Sequence, residues 1–94
     1  ISNEFKILKA FPNPFNPMTS IGINIPNKAN VNFSIFDIRG KKVKTLLIGF
    51  QEAGERYITW DSTDDAGLKV SSGIYFAIFE IERLKKINKL MLLK

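Results

Sequence analysis

Apolar and polar residues alternate along most of the chain, which is the period-two pattern of β-strands that bury one face. The alternation is clearest in two sets of apolar residues, Ile21, Ile23 and Ile25, then Val31, Phe33 and Ile35. Further strands are predicted around Phe5, Ile7 and Phe11, with Lys6 and Ala10 on the other face, and at residues 43–47, 58–60, 74–82 and 87–93. The pattern therefore predicts an all-β domain of about seven antiparallel strands.

Turn-forming residues separate these strands. Pro12, Pro14 and Pro17 fix their φ angles and lack backbone donors, so residues 11–18 are expected to cross between strands as an extended bend outside any sheet ladder. Other turns are predicted at residues 26–27, 39–40, 53–54, 66–67 and 72–73. Turns roughly ten residues apart are typical of a β-sandwich or barrel. A helix is the alternative for residues 83–93, but the short segment has no N-terminal cap, which favours a strand.

Large aromatic side chains are expected mainly in the core between two sheets, because a sandwich of this size needs several of them there. Trp60 is predicted to be buried. Phe15, inside the proline-rich segment, is interpreted as a plug for one end of the sandwich, with a partner contact as the alternative. A carbohydrate-binding platform built on Tyr57 or Tyr75 is a further alternative.

The length and composition of the chain limit the number of domains and the kinds of catalytic and metal sites that it can contain. The chain of 94 residues suits a single domain, residues 1–94, of which residues 1–4 are interpreted as a linker remnant. It contains no histidine and no cysteine, so the commonest general base, thiolate nucleophiles and thiolate metal sites are missing. We therefore expect no enzyme and no cofactor. No apolar run approaches the length of a transmembrane helix, so no transmembrane segment is expected.

The net charge of +5 is concentrated at the C-terminus. Residues 83–94 contain the basic residues Arg83, Lys85, Lys86, Lys89 and Lys94 and no acidic residue. These cations surround an apolar set and are not interleaved with stacking aromatics, which disfavours a nucleic-acid partner.

The acidic residues Asp61, Asp64 and Asp65 lie close together before Gly67. Such a loop can hold calcium, but its spacing does not follow the EF-hand register. The alternative is a turn without a metal, in which the carboxylates accept hydrogen bonds from nearby backbone N–H groups. This interpretation is favoured over a metal site.

Five motifs in a fixed order resemble a known family. They are PNPFNP at residues 12–17, FDIRGKKVKTL at 36–46, AGERYITWD at 53–61, DDAGLKVSSGIYF at 64–76 and KLMLLK at 89–94. Together they resemble the type A C-terminal sorting domain of the type IX secretion system, which is similar in fold to the immunoglobulin-like domain of the flagellar hook-capping protein. The resemblance covers the chain from about residue 5 to its end and implies an immunoglobulin-like β-sandwich.

The same resemblance implies a module at the C-terminus of a larger exported protein of the Bacteroidetes and related phyla. An upstream passenger domain would reach the periplasm, and the module would present it to the type IX translocon and a sortase-like peptidase at the outer membrane. The passenger would end up secreted or on the cell surface. The residues implied in sorting are Gly73, Lys89, Leu90, Met91, Leu92, Leu93 and Lys94.

The residues themselves are compatible with this function, because a basic, apolar terminal strand at a sheet edge can be recognised through backbone pairing. The module is expected to be a monomer. The alternative function is a permanently attached adhesive, spacer or carbohydrate-binding module of a secreted hydrolase, because fold alone does not fix function.

Overall fold

Seven antiparallel strands form two sheets in the computed structural model, which describes residues 5–93. The strands are β1 (Lys6–Ile7), β2 (Thr19–Ile25), β3 (Ala29–Asp37), β4 (Lys42–Gln51), β5 (Gly54–Trp60), β6 (Gly73–Ile81) and β7 (Leu84–Leu92). One sheet has the order β1-β2-β5 and the other the order β4-β3-β6-β7. The predicted all-β sandwich is confirmed, whereas the proposed linker, residues 1–4, lies outside the described residues.

The core lies between the two sheets and is built from alternate residues of the strands. Its completely buried side chains include Ile21 and Ile23 of β2, Phe33 and Ile35 of β3, Phe79 of β6, and Leu90 and Leu92 of β7. Trp60 is also completely buried, and Phe15 is 2% exposed. The predicted core position of Trp60 and the interpretation of Phe15 as a plug are confirmed.

The first predicted strand differs from the expectation. β1 ends at Ile7, and its pairing with β2 shifts by one residue before Phe11 pairs with Ser20, so the alternation of faces does not continue to Ala10 and Phe11. Ala10 is buried and Phe11 is 81% exposed, the reverse of the predicted faces. Phe11 nevertheless pairs with Ser20 of β2 through two backbone hydrogen bonds of 2.9 and 3.0 Å.

The hairpin between β6 and β7 is tighter than predicted. β7 begins at Leu84, and only two residues, Glu82 and Arg83, connect it to β6. Glu82 has a φ of 54°, a conformation typical of two-residue hairpin turns but usually taken by glycine or asparagine. The turn contains neither glycine nor asparagine, so the start of β7 at Leu84 does not follow from the sequence pattern. The favoured strand, rather than a helix, is confirmed for this segment.

Candidate recognition surface

The C-terminal residues singled out in the sequence form the end of β7, and their side chains divide between two faces. Leu90 and Leu92 are completely buried in the core. Lys89 is exposed, Met91 is 37% exposed and Leu93 is 50% exposed. Lys94 lies outside the described residues. The two buried leucines thus hold the strand in place, and the outward residues are available to a partner.

Gly73 lies beside this segment. It begins β6 and is the register partner of Leu92, near the end of β7. Its φ of 149° lies in a region that residues with a Cβ rarely adopt, which explains glycine at this position. The structure therefore brings Gly73 and the C-terminal residues together, although they are far apart in sequence.

Residues 11–18, here called the proline bend, cover the outer edge of β7. The Phe15 N–H donates to the Met91 carbonyl, and the Leu93 N–H donates to the Phe15 carbonyl, each over 2.9 Å. The side chain of Asn13 accepts a hydrogen bond from the Met91 N–H and donates one to the Lys89 carbonyl, again over 2.9 Å. The expectation of a free edge for backbone pairing is therefore wrong for this part of β7. The proline bend was also expected outside any ladder, but Phe15 forms a parallel bridge with Leu92.

A further contact extends this closed edge toward β1. The Asn88 side-chain amide donates to the Leu8 carbonyl over 2.8 Å. The bonds of Asn88 and Asn13 could not be predicted from the sequence, because each joins residues more than seventy positions apart and leaves no local pattern. Together these contacts attach the end of β7 to the N-terminal part of the domain. Residues 89–94 are called the tail below.

A second surface was missed by the sequence reasoning, namely the outward side of the four-stranded sheet. Besides Ile48 and Phe50 near the end of β4, it carries seven apolar residues, which are called the outer sheet face below: Phe36, Ile38, Ile74, Phe76, Ile78, Ile87 and Met91. A groove of about 430 Å³ on this face is lined by five of them. The signal was present in the nearly continuous apolar run of residues 74–81, which is typical of a strand covered on both faces.

Residues 61–72, between β5 and β6, are called the aspartate loop below, and their aspartates hold a hydrogen-bonded turn. Asp64 accepts hydrogen bonds from the Ala66 and Leu68 N–H groups, each over 2.9 Å. Asp65 accepts one from the Thr45 N–H of β4 over 3.0 Å. Each of these two carboxylates therefore accepts hydrogen bonds from backbone N–H groups, as the favoured interpretation predicted. Within residues 5–93, no group of three or more histidine, cysteine, aspartate or glutamate side chains is arranged to hold a metal ion.

Hydrogen bonds from Thr63 lower the pKa of the carboxyl group of Asp61. Its carboxylate accepts hydrogen bonds from the Thr63 hydroxyl over 2.5 Å and from the Thr63 N–H over 3.2 Å. The hydroxyl bond, which favours the ionised form, is the main cause of a pKa below the usual 3.8 of this side chain. The charge thus stabilises the turn after β5.

The aromatic residues do not form an exposed platform. Tyr75 is 6% exposed, and its hydroxyl donates to the Ser71 carbonyl over 2.6 Å. Tyr57 is 65% exposed, but it lies on the three-stranded sheet, and Trp60 is buried. Of the two tyrosines considered for a carbohydrate platform, only Tyr57 is therefore exposed, and the two lie on different sheets.

Two packed antiparallel sheets in this order define an immunoglobulin-like β-sandwich. The family model of the FlgD Ig-like domain matches residues 15–78, and the chain belongs to this family. No match was found among curated proteins. Within residues 5–93, no helix is long and apolar enough to cross a membrane.

Two solved structures are similar to this chain in fold. One is PorZ, an essential bacterial surface component of the type IX secretion system of Porphyromonas gingivalis, with 17% identity and a TM-score of 0.60. That match covers 98% of this chain, which spans only 12% of PorZ. The other is FlgD from P. aeruginosa, with 20% identity and a TM-score of 0.57, over 97% of this chain and 77% of that one.

Proposed function

We propose that this domain is a non-catalytic C-terminal sorting module that directs a larger exported protein through the type IX secretion system to the cell surface. The observation that carries the proposal is the hydrogen bonding between the first and last motifs of the resemblance. Asn13 and Phe15 of PNPFNP hold Lys89, Met91 and Leu93 at the chain end. The two motifs thus form one structural unit, which gives a physical reason for their occurring together.

The partners follow from this proposal. The module would carry an upstream passenger domain in the same polypeptide and would be recognised by the type IX translocon and a sortase-like peptidase. It would act as a monomer and without a cofactor, through surface recognition alone. The fold similarity to PorZ supports a link to this system.

Within the tail, the proposed roles divide by exposure. Lys89, Met91 and Leu93 are accessible to a translocon component, together with Gly73 beside them. Leu90 and Leu92 would contribute by fixing the strand, since both are buried. Deleting residues 89–94 would therefore unfold the domain as well as remove the signal, so point substitutions give a cleaner test.

The direct experiment is a secreted reporter fused to residues 1–94 in a bacterium that has a type IX secretion system. We expect the fusion at the cell surface and the reporter without the module in the periplasm. If the fusion also stayed in the periplasm while the host exported its own substrates, the sorting function would be refuted and a permanently attached spacer would be favoured.

The tail lysines provide a graded test. Lys89→Ala with Lys94→Ala should reduce surface display. The change at Lys89 should leave the melting temperature nearly unchanged, because an exposed lysine contributes little to stability. Lys69→Ala is the matched control, since Lys69 is an exposed lysine in the aspartate loop. Equal display of the tail variant and the control would show that the tail charge plays no part.

A further inference from the structure

The outer sheet face is more apolar than solvent-exposed sheet surfaces usually are. An exposed face of an antiparallel sheet normally carries polar residues at alternate positions. Here three of the four outward residues of β6, Ile74, Phe76 and Ile78, are apolar and only half-buried, and the fourth is Glu80. Ile38 and Ile87 beside them are 71% and 56% exposed. A contiguous apolar patch of this kind marks an interaction site.

Register pairing places basic residues at both sides of this patch. Phe36 and Phe76 are directly opposite each other on β3 and β6. Lys42 of β4 is opposite Phe36, and Lys89 of β7 is opposite Phe76. The row therefore reads lysine, phenylalanine, phenylalanine, lysine across four strands, a width of roughly 14 Å at the usual strand spacing. A complementary partner has an apolar centre with carboxylates on both sides.

The shape and charge of this face favour a protein partner over a membrane surface or a second copy of this chain. A groove of about 430 Å³ admits a protruding side chain, whereas a bilayer surface is flat. Asp37, Glu80 and Lys85 all line the groove, so its charge is mixed, whereas an anionic membrane is held by a surface of clustered basic residues. A second copy of the chain would bring the same lysines together, which is unfavourable.

We propose that the outer sheet face docks onto a protein of the export machinery, through a protruding apolar segment flanked by acidic residues. This inference rests on the proposed sorting function and names the surface and the partner chemistry that would carry it. It means that the translocon would contact residues of β3, β4 and β6 in the folded domain as well as the tail.

The test uses substitutions that leave the tail untouched. Ile38→Ser with Ile87→Ser removes two exposed apolar groups from the face, and Lys42→Glu with Lys85→Glu reverses two exposed charges on it. The controls make the same chemical changes elsewhere, as Tyr57→Ser with Leu68→Ser and as Lys9→Glu with Lys69→Glu. All four pairs change residues that are exposed, and a thermal melt of each purified domain verifies folding.

Both face variants should lower surface display of the reporter about tenfold, the loss expected when two interface anchors are removed. Both controls should be displayed like the unchanged module. Face variants that fold and are displayed normally would overturn this inference and leave the sorting function standing. An unchanged module that stays in the periplasm would instead refute the sorting function itself.

Two further measurements test whether the outer sheet face binds a membrane or a second copy of the chain. Flotation with phosphatidylglycerol vesicles would detect membrane binding, and sedimentation of the purified domain would detect dimers. Binding to vesicles that is lost in the Lys42→Glu, Lys85→Glu variant would replace the protein partner with a membrane. A dimer that dissociates in the Ile38→Ser, Ile87→Ser variant would replace it with a second copy.

Discussion

Trp60 joins the core to the aspartate loop. Its ring centroid lies 5.6 Å from that of Phe15 and 5.2 Å from that of Tyr75, so it contacts both the proline bend and β6. Its indole N–H donates to the Thr63 carbonyl over 2.9 Å, which satisfies the one polar group of the side chain. The residue therefore combines a large buried surface with a buried hydrogen bond.

Trp60→Ala should lower the free energy of unfolding by about 3 to 5 kcal/mol, because it empties a large aromatic site. Tyr57→Ala, which removes an exposed ring, should cost less than about 1 kcal/mol. Urea denaturation of both variants gives the comparison. Similar losses in the two variants would contradict the assigned core.

Asp61 should make the free energy of unfolding depend on pH under acidic conditions. Its folded pKa lies below the unfolded value of 3.8, so its ionised form stabilises the folded state. That contribution is present above the unfolded value and is lost as the pH falls through the folded pKa. The free energy of unfolding of Asp61→Asn should accordingly decline less steeply than that of the unchanged protein below pH 3.8. Parallel curves in urea denaturation over this range would refute the Thr63 hydrogen bond as a source of stability.

At the scale of elements, the proline bend acts as a cover for the β7 edge. Unpaired strand edges invite pairing with other chains, and folded proteins commonly block them. Here the block comes from the Phe15 backbone and the Asn13 side chain. The plug residue Phe15 fixes the bend because its ring is buried against Trp60.

Removing the Asn13 side chain should loosen this cover without disturbing the core. Asn13→Ala deletes the acceptor of the Met91 N–H and the donor to the Lys89 carbonyl, and should cost about 1 to 2 kcal/mol. Asn16→Ala is the control, since Asn16 is an exposed asparagine of the same bend and makes neither contact. Equal stability of the two variants, measured by thermal and urea denaturation, would mean that the bend does not hold the tail through Asn13.

How well each element could be predicted depends on how local its determinants are. β2 and β3 follow directly from their alternating residues, because one face of each is buried. β1 and the bend do not, since the placement of Ala10 and Phe11 depends on contacts with β2. The sorting residues Gly73 and Leu92 meet only through pairing of β6 with β7. The outer sheet face could be predicted only as an apolar run at residues 74–81, because which side chains of this run point outward depends on the pairing of β6 with β3 and β7.

At the scale of the whole molecule, the two long sides of the sandwich differ. On one side β1 and the proline bend cover β7, through contacts that include Asn88 with Leu8. On the other side β4 and β5 are sheet edges, and the aspartate loop covers only the start of β4 near Val43 and Thr45. The tail therefore lies on the closed side, where a partner would meet its outward side chains rather than its backbone.

The central claim is that the tail is a strand of the folded sandwich and is presented to partners as a surface. Amide hydrogen exchange at Met91 and Leu93 tests it most directly, because these N–H groups bond to Asn13 and Phe15. Asn16 gives the reference, since no backbone hydrogen bond of its amide occurs within residues 5–93. We expect Met91 and Leu93 to exchange only with unfolding of the domain and Asn16 to exchange rapidly. Rapid exchange at all three would show a flexible tail that is read as a linear peptide, and would contradict the claim.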